Sequence, residues 1–206
     1  MSDKFDDGAL DEMGLRARAA GYRDGLLELF AAGVLGSLAV SWLVGPGSAG
    51  ILAAMWVLYG WKLVDRIRER IIYPRIGYYK ERADDSKDST RGMLAFIAGS
   101  FALMALVVIV TGGATDAAEW RRAAPLVSGV TIAAGFRYAA VRSKMARHNA
   151  IAAWSAVSGG LAWWVGTGES YSYVGWHLLG VAIPLAIVGA WTLTNFLQHH
   201  PVADGE

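Results

Sequence analysis

Two acidic residues stand one helical turn apart at the start of the first long apolar run of this sequence. Asp24 and Glu28 share one helix face, because residues four apart lie on the same side of a helix. If that run is embedded in lipid, an unpaired charge there is expensive. We therefore predict a buried ion pair, with Arg137 or Lys62 as the partner of Glu28. A proton or cation relay, and snorkelling of the acids to the interface, are the alternatives.

A basic segment after the second apolar run could bind anionic groups. Pro74 fixes its own φ and Gly77 tolerates a positive φ, so this segment is predicted to turn. Its tyrosines suit headgroup depth, and each basic residue near an anionic surface contributes about 1 kcal/mol of binding free energy. A purely structural link between helices and an enzymatic use are the alternatives. The predicted lipid- or partner-binding residues are Arg66, Arg68, Arg70, Tyr73, Pro74, Arg75, Gly77 and Tyr78.

Other reactive side chains do not form a recognisable site. His177 has no second histidine at matching depth, so it is predicted to be a helix-bridging hydrogen bonder and not a haem ligand. The chain has no cysteine, and it lacks the carboxylate and histidine sets of a zinc or di-iron site. We find no glycine-rich phosphate loop and no serine with a histidine and an aspartate at compatible depth. No catalytic residue, metal site or cofactor is predicted.

The elements that hold these residues have the length and composition of membrane helices. Of 206 residues, 54% are hydrophobic and only 18% are charged, and the charges are segregated between apolar runs. We predict an all-α polytopic membrane protein with six transmembrane helices; a soluble all-α bundle is the alternative. The net charge of +1 gives no reason to expect nucleic acid as a partner. The predicted segments are a polar leader (1–24), a hairpin (25–64), a basic loop (65–92), a hairpin (93–141), a basic connection (142–149), a hairpin (150–198) and a tail (199–206).

The lysine and arginine residues predict the orientation. With both termini in the cytoplasm, 17 of the 19 lie on the inner side, and only Arg121 and Arg122 lie outside. The leader is too polar for a cleavable signal peptide, so we expect a multi-pass protein of the cytoplasmic (inner) membrane.

A faint internal repeat fits three hairpins of one plan, although chance similarity explains it as well. Small residues four apart predict close helix contacts, and from them a homo-oligomer or a partner membrane protein.

The motif Tyr73-Pro74-Arg75-Ile76-Gly77-Tyr78, after several basic residues, resembles one found in small, uncharacterised multi-pass membrane proteins of bacteria and archaea. In that group a segment similar to Tyr22–Phe30 opens the first span. The resemblance extends over residues 20 to 160, with Tyr79 where valine is expected. It implies a helical membrane protein and no particular reaction.

These patterns favour a non-enzymatic membrane protein. We expect an accessory, regulatory or assembly component whose basic cytoplasmic loop contacts anionic lipid or a partner. A small transporter or channel with Glu28 and Asp24 near its cytoplasmic mouth is the second hypothesis, and a membrane-embedded enzyme is the third.

Overall fold

The computed structural model describes residues 23–44, 51, 54–76, 99, 102, 117–167 and 172–201. Every regular element in these ranges is helical, which confirms the all-α prediction for the described part of the chain. The helices are α1 (Leu26–Val44), α2 (the consecutive segments Trp56–Gly60, Trp61–Ile67, Arg68–Ile72 and Tyr73–Ile76), α3 (Ala117–Ser143), α4 (Ala146–Val165) and α5 (Ser172–His199).

Three of the described helices are long and apolar enough to cross a membrane. They are Leu26–Val44, Ala118–Ser143 and Ser172–His199, with 19, 26 and 28 residues. At 1.5 Å per residue these lengths are about 28 to 42 Å, against a hydrocarbon core of about 30 Å. They correspond to the first, fourth and sixth predicted spans. The second and fifth predicted spans are helical within α2 and α4, and the third lies outside the described residues except for Gly99 and Ala102.

The first four residues of the turn predicted around Pro74, Tyr73–Ile76, are helical, while Gly77 and Tyr78 lie outside the described residues. The segment Arg68–Ile72 just before the proline is a π-helical turn, in which the Tyr73 N–H donates to the carbonyl of Arg68, five residues back. In an α-helix the proline ring would clash with the carbonyl four residues earlier. The wider π turn gives that ring room, so the helix continues through Pro74.

Part of each predicted basic connection is helical in the described residues. Residues 65–76 of the predicted loop belong to α2, and only Lys144 and Met145 separate α3 from α4. Lys144 has a φ of 55°, which is the left-handed region that reverses the chain sharply. Arginine and lysine are good helix formers, so charge alone does not end a helix.

The bundle is assembled from antiparallel neighbours in close contact. Its most extensive contacts join α3 to α4 and α1 to α5. Gly129 of α3 and Gly159 of α4 cross so closely that a Cβ on Gly159 would lie 2.9 Å from the Gly129 Cα. The main core lies between these four helices and contains Leu35, Phe136, Ile151, Val181 and Leu185, among others.

One end of the bundle collects the start of α1, the last turns of α2, the α3–α4 connection and the end of α5. We call it the basic end, and define it by Arg68, Arg75 and Arg147. A second apolar cluster of Leu26, Val64, Ile72 and Phe196 ties α1, α2 and α5 together there. Arg75 adds a polar tie, since its Nη1 donates to the carbonyl oxygen of His200 over 2.7 Å.

Candidate functional site: a buried ionic cluster and an exposed basic stripe

The acidic residue just before α1 is buried and paired. Asp24 is fully buried, and its Oδ2 accepts a hydrogen bond of 2.9 Å from Nε of Arg68 on α2. Its Oδ1 accepts the N–H of Leu26 over 2.9 Å, which satisfies one of the helix-start donors that have no partner inside a helix. The glycine between them has a φ of 76°, which lets the chain turn into α1. Burial raises the pKa of Asp24 above its ordinary value, and the Arg68 guanidinium offsets part of that rise.

One turn later, Glu28 reaches the first turn of α4. Its side chain is fully buried, and Oε1 lies 2.7 Å from Nε of Arg147 and 3.0 Å from Nε2 of His148. Glu28 therefore forms a buried ion pair, as predicted, but its partner is Arg147 and neither Arg137 nor Lys62. Arg137 is exposed and donates to Asn149 Oδ1 over 2.6 Å, while Lys62 is exposed and lies over the ring of Tyr59.

A chain of hydrogen bonds continues from Glu28 through the imidazole. Nδ1 of His148 lies 2.8 Å from Oγ of Ser143, and that hydroxyl also accepts the N–H of Met145 at 3.4 Å. Because Nε2 faces a carboxylate, we assign the proton to Nε2, which leaves Nδ1 to accept the Ser143 hydroxyl. These bonds hold the left-handed connection between α3 and α4 against α1.

The cluster is balanced in charge. Two carboxylates, from Asp24 and Glu28, face two guanidinium groups, from Arg68 and Arg147. Buried charges are tolerated when they are paired and hydrogen-bonded. Asp24 meets this condition with both carboxylate oxygens, and Glu28 meets it with Oε1, whereas Oε2 of Glu28 is buried without a hydrogen-bond partner among the described residues.

The sequence did not reveal the serine–histidine–glutamate arrangement. It has the order of groups found in hydrolases that use a serine nucleophile. Ser143, however, is only 3% exposed and its oxygen is already engaged twice, so a substrate cannot reach it. The only signal was the basic pair Arg147–His148 beside a span, and nothing in it indicated which helix the pair would face.

The predicted lipid-binding arginines separate into two groups. Arg68 and Arg75 are engaged within the bundle, by Asp24 and by the carbonyls of His200 and Ile71. Arg66 and Arg70 are exposed, and so is Lys62 one turn earlier. We call Lys62, Arg66 and Arg70 the basic stripe, because residues four apart lie on one helix face. Tyr73 is half-buried and Pro74 is exposed, while Gly77 and Tyr78 lie outside the described residues.

An apolar groove lies beside the basic stripe and was not predicted. It has a volume of about 360 Å³ and is lined by Met55, Trp56, Tyr59, Gly60 and Leu63 of α2. Its members lie one, three or four residues apart, so the groove becomes visible only once they are placed on one face of a helix.

The intramembrane histidine predicted to bridge two helices does so. His177 on α5 is 3% exposed and its Nδ1 lies 3.1 Å from Oγ of Ser158 on α4. The prediction of a helix-bridging hydrogen bond is confirmed. Within the described ranges, no three histidine, aspartate or glutamate side chains are grouped so that they could hold a metal ion.

Comparisons of the chain with known protein families, with curated proteins and with solved structures give no match. The resemblance noted for residues 20 to 160 stays a prediction.

Proposed function

We propose that this chain is a multi-pass protein of the inner membrane that binds anionic lipid at its basic end, in an accessory or regulatory role without catalysis. The observation that carries the proposal is the division of the arginines on α2. Arg68 is drawn inward by Asp24, whereas Lys62, Arg66 and Arg70 stay exposed on a helix fixed to the bundle. Their charges then lie at a fixed height, beside the last apolar turns, where headgroup phosphates would be.

The proposed topology has six spans with both termini in the cytoplasm. It is supported by the three apolar helices and by the gathering of the start of α1 and the end of α5 at the basic end. The aromatic residues Trp163, Trp164 and Trp176 lie near the other end and are exposed, as expected of an opposite interface. The third span and the cytoplasmic leader are proposed from the sequence alone.

Transport through Glu28 and Asp24 is less well supported. A transport site needs carboxylates that water or a substrate can reach, but both side chains are fully buried and each is paired with an arginine. The ridge of small residues on α1 gives little support to self-association, because it already packs against another helix of the same chain. Gly36 of α1 faces Ala182 of α5, with 3.9 Å between a Cβ on the glycine and the alanine Cβ, so that ridge is used within the chain.

The topology can be tested directly because the chain has no native cysteine. Single cysteines at Glu69, beside the stripe, and at Thr167, after α4, are both at exposed positions. A membrane-impermeant maleimide added to intact cells should label the cysteine at 167 and spare the one at 69. Labelling of 69 from outside would overturn the orientation and the lipid site with it.

The lipid site is tested by titrating phosphatidylglycerol and phosphatidylcholine into the detergent-solubilised protein, with bound lipid counted by native mass spectrometry. Three stripe charges at about 1 kcal/mol each predict a loss of roughly 100-fold in phosphatidylglycerol affinity for the variant K62Q/R66Q/R70Q. The matched control R137Q/R142Q/K144Q removes equal charge at the same end, on α3 and the α3–α4 connection. An equal loss in the control would mean that general attraction, not the stripe, binds the lipid.

A further inference from the structure

The basic stripe and the apolar groove lie on the same helix and adjoin each other. Lys62 Nζ sits 5.8 Å from the centroid of the Tyr59 ring, and that ring lines the groove. Arg66 follows Leu63, another lining residue, by three positions, which makes them neighbours on the helix surface. A cationic surface thus begins where the apolar lining ends.

We infer that this junction is one phospholipid site, in which the groove holds an acyl chain and the stripe holds the anionic headgroup of the same molecule. The inference rests on the proposed function and specifies its ligand as an anionic glycerophospholipid. The phosphate lies between Lys62 and Arg66, and the chain runs along α2 from Leu63 towards Met55.

The dimensions of the groove fit one chain. From Met55 to Leu63 the helix rises about 12 Å, within the roughly 15 Å of one hydrocarbon leaflet. The volume of about 360 Å³ is near the lower end of ligand pockets, which run from about 300 to 1,000 Å³. It can take a single chain and not a whole diacyl lipid.

The shape of the groove is set by the close packing of the residues around it. Gly60 is buried at its floor, where a Cβ would lie 2.8 Å from both the Phe30 and Trp56 rings. Its missing side chain lets these rings close on the helix. On the outer side Met55, Tyr59 and Leu63 are 51%, 60% and 49% exposed, so the groove is open to a chain from the surrounding lipid.

Charge complementarity decides the occupant. A hydrophobic partner helix would fill the groove but would not engage the three stripe cations, which outnumber the two exposed acids beside them, Asp65 and Glu69. An anionic phospholipid supplies both parts in one molecule. Since lipid tails surround the protein anyway, the chain is held by packing contacts and the phosphate provides the selectivity.

The test separates the two parts of the ligand. Wild-type protein in detergent is titrated with phosphatidylglycerol, with its single-chain lyso form and with glycerol 1-phosphate, and bound ligand is counted by native mass spectrometry. If one chain occupies the groove, the lyso form binds about as tightly as the diacyl lipid, and glycerol 1-phosphate binds far more weakly. Equal binding of the headgroup alone would overturn the inference.

A groove-filling variant gives the second arm. Leu63→Trp places a large ring in the groove, and we expect a loss of roughly five- to tenfold in affinity for both lipids with an unchanged melting temperature. Ile187→Trp on α5 is the matched control, because Ile187 is 64% exposed and the groove is lined by residues of α2 alone.

The outcomes are distinguishable. If Leu63→Trp binds phosphatidylglycerol like wild type while K62Q/R66Q/R70Q loses it, the stripe binds lipid without the groove, and only the inference fails. If neither variant changes lipid binding, the proposed function fails as well. If Leu63→Trp instead dissociates an oligomer, the occupant is a second copy of the chain, which also overturns the inference.

Discussion

The buried pair between Glu28 and Arg147 predicts an asymmetric response to neutralising its two members. Arg147→Gln leaves a fully buried carboxylate with one hydrogen bond, from His148. Breaking a buried ion pair in this way costs about 3–5 kcal/mol in the free energy of unfolding. Glu28→Gln is milder, because the amide oxygen still accepts from His148 and the Arg147 side chain, already 26% exposed, can turn towards water.

We expect Glu28→Gln to cost about 1–2 kcal/mol, the difference between a charged and a neutral hydrogen bond together with the lost ion pair. The double variant E28Q/R147Q removes the stranded charge, so it should be more stable than R147Q alone. A double-mutant cycle would then show a favourable coupling of about 2 kcal/mol. For a chain of 206 residues, 1 kcal/mol corresponds to roughly 2–4 °C in melting temperature. The loss for R147Q is therefore roughly 6–20 °C.

The assay is thermal unfolding of each variant in one detergent at one pH, followed by tryptophan fluorescence. Arg137→Gln is the matched control, since this arginine at the same end is exposed and its hydrogen bond to Asn149 is exposed too, so its loss should change stability by less than about 0.5 kcal/mol. If E28Q costs as much as R147Q, or if the double variant is additive, the carboxylate does not depend on Arg147 and the reasoning is wrong.

Further variants test the helix crossing and the acid before α1. Gly159→Ala places a Cβ 2.9 Å from the Gly129 Cα, so α3 and α4 must separate, at a cost of about 1–3 kcal/mol in unfolding free energy. Gly160→Ala, with nothing within 4 Å, should be neutral or slightly stabilising, and equal melting temperatures for the two would refute the close crossing. Because burial raises the pKa of Asp24, the folded state holds its proton to a higher pH than the unfolded state does. Its contribution to stability is then full below the ordinary aspartate pKa and falls as pH rises through the raised folded value. Asp24→Asn should flatten that fall in melting curves recorded from pH 4 to 8; an unchanged slope would contradict the assignment.

The helices could be predicted because lipid-length apolar runs leave the backbone few choices. Away from water, each backbone N–H and C=O must be satisfied within the chain, and a continuous helix does this locally. The first predicted hairpin begins at residue 25 and the third ends at residue 198, each within one residue of the start of α1 and the end of α5. The ends were less accurate at the basic end, where arginine-rich segments continue as helix, and at Pro74, where a π turn removes the expected clash.

The candidate site was predicted only in part, for a different reason. The position of Glu28 one turn inside an apolar run was enough to predict that it needs a partner. Which partner it finds depends on the rotation of α3 and α4 about their axes, and that rotation is fixed by the crossing of Gly129 with Gly159. Packing of this kind is a property of two helices together, so neither helix's own pattern contains it.

The two roles of arginine on α2 follow from the same continuation of the helix. Arg66 and Arg68 are two residues apart, so their side chains leave the helix about 200° apart, and Arg70 returns to the side of Arg66. In a flexible loop all three would be free to meet phosphate, and a count of charges would describe them adequately. In a helix the middle one must face the bundle, where the carboxylate of Asp24 pairs with it. Arg66 and Arg70 then lie on the opposite face of the helix from Asp24, which pairs with Arg68. The buried pair therefore orients the basic stripe but adds no charge to it.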